Sequence, residues 1–228
     1  MGPQATVLFY QMITDLTPAG RDQDHIDMVL LSHASMPDRT GAILSGEEEE
    51  VLRLLTEDAE MLERSGAKAI AVPCNTSHHF LPRVQERVGI PFISMIDAAA
   101  EEAERGLEAL AAGGTASGRR VAILATDGTV QTQLYQKALT ARGIEPYVPD
   151  EQIQKLVMHE IYDCVKAGKP CDRVALASIE EACRAADCSF AILACTELSV
   201  IRQEMNLGMF YIDAMSELAK ACIKFIRG

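Results

Sequence analysis

Two stretches of the chain are continuously apolar and end in a cysteine. One is residues 69–73, followed by Cys74, and the other is residues 190–194, followed by Cys195. Short apolar runs between polar segments are typical of strands that are buried on both faces of a parallel sheet. Most other segments carry apolar residues at the spacing of an amphipathic helix. The alternation of the two patterns predicts an α/β fold with parallel sheets and right-handed crossovers.

The same patterns predict the individual elements. Strands are predicted at residues 27–32, 69–73, 91–94, 120–125, 145–148, 190–194 and 209–212. Helices are predicted at residues 5–16, 47–65, 77–88, 97–112, 126–141, 150–167 and 172–186, with a short helix after Cys195, a last helix from Asp213, and a loop at 33–46. Gly66 is expected to end the second helix, and Asp97 and Asp150 are expected to cap the helices that they precede.

Each apolar run that ends in cysteine is followed by a helix, a short strand, an Asp-Ala pair and another helix. The short strand and the Asp-Ala pair lie at residues 92–98 in the first copy and at residues 210–214 in the second. This weak repetition predicts two pseudo-symmetric lobes, each a small parallel sheet flanked by helices, with the active site in the cleft between them. We assign residues 1–96 and 213–228 to the first lobe and residues 97–212 to the second. The turn-rich stretch 113–118 is the clearest break in the pattern.

Composition narrows the class of protein. Hydrophobic residues make up 48% of the 228, which is enough for a well-formed core. No apolar run reaches eighteen residues and no signal-peptide pattern is visible, so no membrane association is predicted. The net charge of −12 argues against a nucleic-acid partner. Seven cysteines without a CxxC pair predict free thiols in a reducing, cytoplasmic compartment.

Two cysteines on opposite walls of a cleft suit inversion at a carbon that bears an acidic proton. A thiolate removes the proton from one face and a thiol returns a proton to the other, without a cofactor. Both cysteines are expected next to helix N-termini, which lower thiol pKa values. The small polar neighbours Asn75, Thr76 and Thr196 are suited to holding a carboxylate while charge develops. The competing interpretation is that each cysteine is a small buried hydrophobe.

Several other residues have both a functional and a plain structural interpretation. Arg39 is suited to gripping a carboxylate, or it is a surface arginine. Lys155 lies early in a predicted helix, where the helix dipole disfavours a cation. This position is a weak sign of a functional role, and the alternative is a solvated lysine. Thr126 and Thr129 form an anion cradle or a helix cap. His78 is a metal ligand beside Cys74 or, as we favour, a local hydrogen-bonding residue, because no second set of ligands has zinc spacing.

Five motifs together resemble one known family. They are Met1-Gly2-Pro3-Gln4-Ala5-Thr6, Pro37-Asp38-Arg39-Thr40, Pro73-Cys74-Asn75-Thr76-Ser77-His78, Thr126-Asp127-Gly128-Thr129 and Ala194-Cys195-Thr196-Glu197. In this order they resemble the aspartate/glutamate racemase superfamily, in its aspartate racemase branch. Glu197 favours that branch, because glutamate racemases usually carry histidine there.

The resemblance implies two pseudo-symmetric α/β lobes, a homodimer, and racemisation of a small acidic amino acid with no cofactor and no metal. It implies Cys74 and Cys195 as the acid/base pair. The remaining site residues that it implies all bind or steer the substrate. Of these, Asn75, Thr76 and Thr196 contact the α-carboxylate, Arg39 and Lys155 recognise the acidic side chain, and Met1, Gln4, Pro37, Asp38, Thr126, Thr129 and Glu197 complete the set.

Two expectations qualify this assignment. Members of the family normally have a strand and two glycines just before the Met-Gly-Pro element, so the first lobe is expected to lack its first strand in a chain that opens at Met1. Alternative functions are a related two-cysteine enzyme, of the maleate isomerase or hydantoin racemase type, and a binding protein that has kept the cleft without the activity.

Overall fold

The computed structural model describes residues 2–114 and 118–228, which form two parallel β-sheets flanked by helices. The strands are β1 Ile70–Ala71, β2 Phe92–Ile93, β3 Arg120–Ala125, β4 Glu145–Tyr147, β5 Phe190–Ala194 and β6 Tyr211–Asp213. The α-helices are α1 Pro3–Leu16, α2 Arg39–Ser45, α3 Glu49–Arg64, α4 Leu81–Gln85, α5 Met95–Ala112, α6 Asp127–Thr132, α7 Leu134–Thr140, α8 Glu151–Met158, α9 Arg173–Ala185, α10 Thr196–Met205 and α11 Ala214–Arg227. Short 3-10 helices lie at Asp22–Asp24 and Thr76–His79, and a π-helix at His159–Val165.

The larger sheet has the strand order β4-β3-β5-β6, and all of its pairs are parallel. Its two central strands are buried along nearly their whole length, as their apolar sequences require. One face packs against α1, α5, α7 and α11, and the other packs against α8, α9 and α10. The predicted α/β fold with small parallel sheets and flanking helices is therefore confirmed.

The smaller sheet consists of β1 and β2, paired in parallel with Ile70 opposite Phe92. Its core is formed with α2, α3 and α4 by residues such as Leu55, Phe80 and Val84, each at most 4% exposed. In the described residues, β2 is the only strand that pairs with β1. A groove of about 720 Å³ lies along this sheet, and its lining includes residues 24–31 and 65–73 and the β2 residues Phe92 and Ile93.

The local sequence signals explain most helix ends. Asp150 accepts hydrogen bonds from the Gln152 and Ile153 amides at 3.0 Å, so it caps α8 as predicted. Gly66 adopts a φ of 88° just after α3, a left-handed conformation that glycine tolerates. Asp97 is not the cap of α5: Ser94 takes that position and accepts from the Asp97 amide at 3.1 Å. The helix therefore begins two residues before the predicted cap.

Five predicted elements differ in the structure. Residues 27–32 form no strand, since no described strand lies beside them to complete their hydrogen bonds. The predicted loop at 33–46 contains α2, which Asp38 caps. The predicted helix 126–141 is split at Gln133, whose φ is 57°. The predicted helix 150–167 ends in a π-helix, and helix 77–88 is replaced by a 3-10 turn and α4.

The predicted break at 113–118 falls partly on residues 115–117, which are outside the described part of the chain. None of the helices in the described ranges is long and apolar enough to cross a membrane.

Candidate active site

Cys74 and Cys195, which follow the carboxyl ends of β1 and β5, line the same cleft. Parallel strands place their carboxyl ends at one edge of a sheet, and the two sheets present those edges to each other. The free volume of the cleft is about 20 Å³, room for a water molecule or so.

The Cys74 wall is fixed by a buried histidine. The His78 Nε2 atom accepts a hydrogen bond from the Met95 amide at 3.1 Å, so Nδ1 carries the proton and donates to the Cys74 carbonyl at 2.9 Å. Burial lowers the pKa of His78 to about 4, so the ring is neutral near pH 7. Both ring nitrogens bond to backbone groups, which confirms His78 as a local hydrogen-bonding residue.

The Cys195 wall holds a protonated thiol beside a carboxylate. Cys195 caps α10, as predicted, but it is 7% exposed and its thiol donates to Glu197 Oε2 at 2.9 Å. Burial, together with the negative charge of Glu197, raises the pKa of Cys195 well above its usual value. The expectation that the helix N-terminus lowers this pKa is wrong, because burial and an adjacent anion outweigh the helix.

Arg39 brings a positive charge to the opposite wall, next to Cys74. Its guanidinium donates to the Pro37 carbonyl at 2.7 Å, and its Nε atom is buried without a partner in the described residues. Burial alone would lower the pKa of Arg39, but interactions with Cys74, Asp38 and Glu197 raise it. Arg39 is thus a fixed cation with donor capacity left for an anion.

A second cation, Lys166, reaches the cleft from just beyond the π-helix. Its Nζ atom lies 3.5 Å from Asp38 Oδ1 and 3.8 Å from the centre of the Tyr162 ring. Burial would lower the pKa of Lys166, but its interactions with Glu197 and Cys195 raise it. Lys166 therefore carries its proton beside the two groups on the Cys195 side.

The predicted lysine, Lys155, is not at the cleft. Its side chain is 72% exposed and pairs with Glu151 at 2.7 Å. These are the surroundings of a solvated lysine, and a role for Lys155 in steering the substrate stays a prediction. Lys166 was missed because a π-helix advances the chain by more residues per turn than an α-helix, so regular helical spacing does not reveal where Lys166 points.

A cluster of four threonine hydroxyls joins the two lobes under the cleft. Thr76 lies 2.8 Å from Thr129 and 3.2 Å from Thr126, and Thr40 donates to Thr126 at 3.0 Å. Gly128 is needed at this junction, because a Cβ atom there would lie 2.9 Å from the Thr40 Cα. Thr126 caps α6 and also lines the cleft, so the predicted cap is present and the anion cradle stays a prediction.

Asn75 lines the cleft and has an unused hydrogen-bond donor. It is 3% exposed, its Oδ1 atom accepts from the Tyr135 hydroxyl at 2.5 Å, and its Nδ2 atom is buried without a partner in the described residues. Thr196 also lines the cleft and donates to Glu197 at 3.2 Å. The cleft therefore combines two thiols, two cations and at least one free amide donor, a set that suits a bound carboxylate.

The other predicted site residues fall into three groups. Asp38 lines the cleft, where its contacts with the Gly41 amide, Lys166 and Arg39 outweigh burial and lower its pKa. Gln4 and Pro37 are exposed and do not line the cleft, and Thr129 lies behind it. Met1 lies outside the described residues. Besides Lys166, the structure adds Gly2, Thr40 and Pro73 to the cleft; all three stand inside the quoted motifs, which was the available signal.

All seven cysteines are free thiols. Burial raises the pKa of Cys183 to about 12, of Cys188 to about 11 and of Cys222 to about 12. These buried thiols, away from the cleft, have the properties of inert core residues.

Comparison with known proteins agrees with this arrangement. Residues 1–222 match the model of the Asp/Glu/hydantoin racemase family. The chain is 24% identical to the broad specificity amino-acid racemase RacX of Bacillus subtilis over 230 residues, covering 98% of this chain and 93% of the relative. It is 30% identical to the Picrophilus torridus aspartate racemase, with a TM-score of 0.77 and coverage of 98% and 90%.

An aspartate racemase homologue from Pyrococcus horikoshii OT3 shares the fold, with a TM-score of 0.74, 23% identity and coverage of 99% and 95%. The family match extends over nearly the whole chain, and it includes both strand-end cysteines and the cleft between them. The chain therefore belongs to the Asp/Glu/hydantoin racemase family.

Proposed function

We propose that this protein is a cofactor-independent amino-acid racemase that acts on aspartate through the thiols of Cys74 and Cys195. The observation that carries the proposal is that both cysteines line one cleft, with Arg39 on the Cys74 side and Lys166 near Cys195. Two separate cations suit a substrate with two carboxylates. The 30% identity to an aspartate racemase supports the same choice of substrate.

The reaction needs one proton shared between two thiols. In one direction, the Cys74 thiolate takes the α-proton, and the electron pair left on the α-carbon spreads into the α-carboxylate. The Cys195 thiol then donates its proton to the opposite face. Cys74 ends as a thiol and Cys195 as a thiolate, which is the state that accepts the other enantiomer. Atoms and charge balance without a further reactant.

The charged neighbours set the starting state of this cycle. Glu197 accepts a hydrogen bond from the Cys195 thiol, so Cys195 begins the cycle with its proton. Arg39, as a cation beside Cys74, favours a negative charge on that wall. Arg39, Lys166, Asn75 and Thr196 are the groups that would hold the two carboxylates. A cytoplasmic location, predicted from the cysteine pattern, and a homodimer, implied by the family resemblance, remain part of the proposal.

The test is a chiral assay of L-aspartate in D₂O, with purified protein and no added pyridoxal phosphate. We expect conversion to a racemic mixture in which the product enantiomer carries deuterium at the α-carbon. Glutamate, alanine and a substituted hydantoin serve as comparison substrates, and maleate tests for a thioether adduct. A well-folded protein that leaves aspartate unchanged, or that traps maleate on a cysteine, would contradict the proposal.

A further inference from the structure

One hydrogen bond behind the cleft joins the two lobes at a residue that sequence analysis did not single out. The Tyr135 hydroxyl on α7 lies 2.5 Å from the Oδ1 atom of Asn75, which follows β1. Tyr135 is completely buried and does not line the cleft, whereas Asn75 does. Asn75 is therefore the cleft residue to which Tyr135 is hydrogen-bonded.

The direction of this hydrogen bond fixes the orientation of the Asn75 amide. Burial, with Asp213 and Cys195 nearby, raises the pKa of Tyr135 well above its usual value, so the hydroxyl keeps its proton. Asn75 Oδ1 is the one acceptor found for that proton in the described residues. An amide that accepts at Oδ1 presents its Nδ2 on the other side, and this Nδ2 atom is buried without a partner in the described chain.

We infer that Tyr135 is a positioning residue, whose hydroxyl holds the Asn75 amide so that its N–H donors face a carboxylate of the substrate. The inference rests on the proposed function, since the ligand is the acidic amino acid of that proposal. An amide turned the other way would present Oδ1 to the carboxylate and repel it. The buried, unpaired donor is the independent sign that a ligand belongs there, because buried polar groups normally have partners.

The Tyr135→Phe substitution tests this role with little change in shape. Phenylalanine keeps the buried ring and removes only the hydroxyl, so the amide is free to turn. We expect about tenfold weaker binding of a dicarboxylate, the usual scale for a hydrogen bond to a charged group. Tyr211→Phe is the matched control, because Tyr211 is 3% exposed and donates to Glu180 at 2.8 Å, away from the cleft.

The experiment is a double-mutant cycle with Asn75→Ala, Tyr135→Phe and the double variant. Succinate binding is measured by calorimetry, aspartate racemisation by a chiral assay, and folding by thermal melting. We expect both single variants to weaken succinate binding, and we expect Tyr135→Phe to have no further effect when Asn75 is already alanine. The Tyr211→Phe control should lower the melting temperature and leave binding unchanged.

The two readouts separate the inference from the proposed function. Unchanged succinate affinity in Tyr135→Phe would overturn the inference, and so would equal losses with and without Asn75, because Tyr135 would then act independently of the amide. A wild-type protein that binds succinate but does not racemise aspartate would contradict the proposed function and leave the cycle as a valid test of Tyr135. A wild-type protein that does not bind succinate would contradict the inference directly.

Discussion

The two strand-end cysteines occupy matching places in the chain but opposite electrostatic surroundings. Cys74 is partly exposed and has a guanidinium as its charged neighbour, whereas Cys195 is 7% exposed and donates to a carboxylate. Equivalent positions on two lobes thus place one thiol beside a cation and the other beside a carboxylate. For the proposed reaction this difference is useful, because two thiols with identical surroundings would not define which of them holds the single shared proton.

The strongest test of the comparison is to remove each thiol in turn. Cys74→Ala and Cys195→Ala should each reduce racemisation by about 10²–10⁴-fold, the usual contribution of a general acid or base. In D₂O each variant should still exchange the α-proton of one enantiomer of aspartate for deuterium. The enantiomer that Cys74→Ala exchanges should be the opposite of the one that Cys195→Ala exchanges. Cys171→Ala, partly exposed, and Cys183→Ala, buried, are the matched controls. Exchange of the same enantiomer by both variants would mean that the cysteines do not face opposite sides of the substrate.

The support of the Cys74 wall should make the fold sensitive to acid. His78 has a pKa of about 4 when folded, against 6.5 for the ordinary side chain, so the unfolded chain binds a proton at a higher pH. The contribution of neutral His78 to the free energy of unfolding is about 3 kcal/mol. This contribution is complete above pH 6.5 and is lost as the pH falls towards 4. Urea unfolding from pH 7 to 4 should show a shallower loss in His78→Gln than in the wild type. His25→Gln, at an exposed position, should keep the wild-type slope.

Removing the cation on the Cys74 side should affect acidic substrates selectively. Arg39→Leu is expected to lower kcat/KM for aspartate by about ten- to a hundredfold, the range for a charge-assisted hydrogen bond. The measurement compares L-aspartate with L-alanine, and Arg53→Leu, an exposed arginine paired with Glu50, is the control. Equal losses for the two substrates would show that Arg39 contacts the α-carboxylate or stabilises the fold instead.

The two candidate lysines can be separated by one pair of variants. Lys166→Gln should reduce kcat/KM for aspartate by about tenfold, whereas Lys155→Gln should leave it unchanged, since the Lys155 side chain is 72% exposed. The same chiral assay serves both variants. The opposite result would restore Lys155 as the substrate-steering residue and place Lys166 in a structural role.

The smallest effect is expected at Glu197, and it is a shift in pH dependence. Glu197→Gln removes the negative charge that, after burial, raises the Cys195 pKa, so this pKa should fall. The alkaline limb of kcat/KM, where both thiols lose their protons, should therefore move to lower pH. The equilibrium constant between enantiomers is one, so the limb must move equally in both directions. An unmoved limb would show that another group controls it.

The elements that could be predicted are those whose signals are local. The apolar runs of β3 and β5 and the Asp150 cap depend on neighbouring residues, and the structure has them where the pattern places them. Residues 27–32 have an equally apolar sequence but form no strand, because a strand also needs a neighbour that the local pattern does not describe. The break between α6 and α7 at Gln133 and the π-helix likewise depend on packing against distant segments, which the local pattern does not describe.

The site residues can also be separated into those with a local sequence signal and those without one. The cysteines and their polar neighbours stand in short motifs at strand ends, so the residue types and spacing identify them. Lys166, Tyr135 and the electrostatic contrast between the thiols arise from contacts between distant segments. The Tyr135–Asn75 bond spans 60 positions in the chain, and no periodicity could have paired the two residues.

The two sheets should also differ in how often they open in solution. Strands β3 and β5 are each paired on both sides within a four-stranded sheet, whereas β1 has one described partner and lines a groove. Backbone amides exchange with deuterium through the least costly opening that exposes them. Amides of β3 and β5 should therefore exchange only when the whole protein unfolds, and those around β1 through smaller, more frequent openings. Because Cys74 follows β1, a ligand that bridges the cleft should slow amide exchange mainly around β1. The first lobe would then be the part of the protein that moves when the cleft opens and closes.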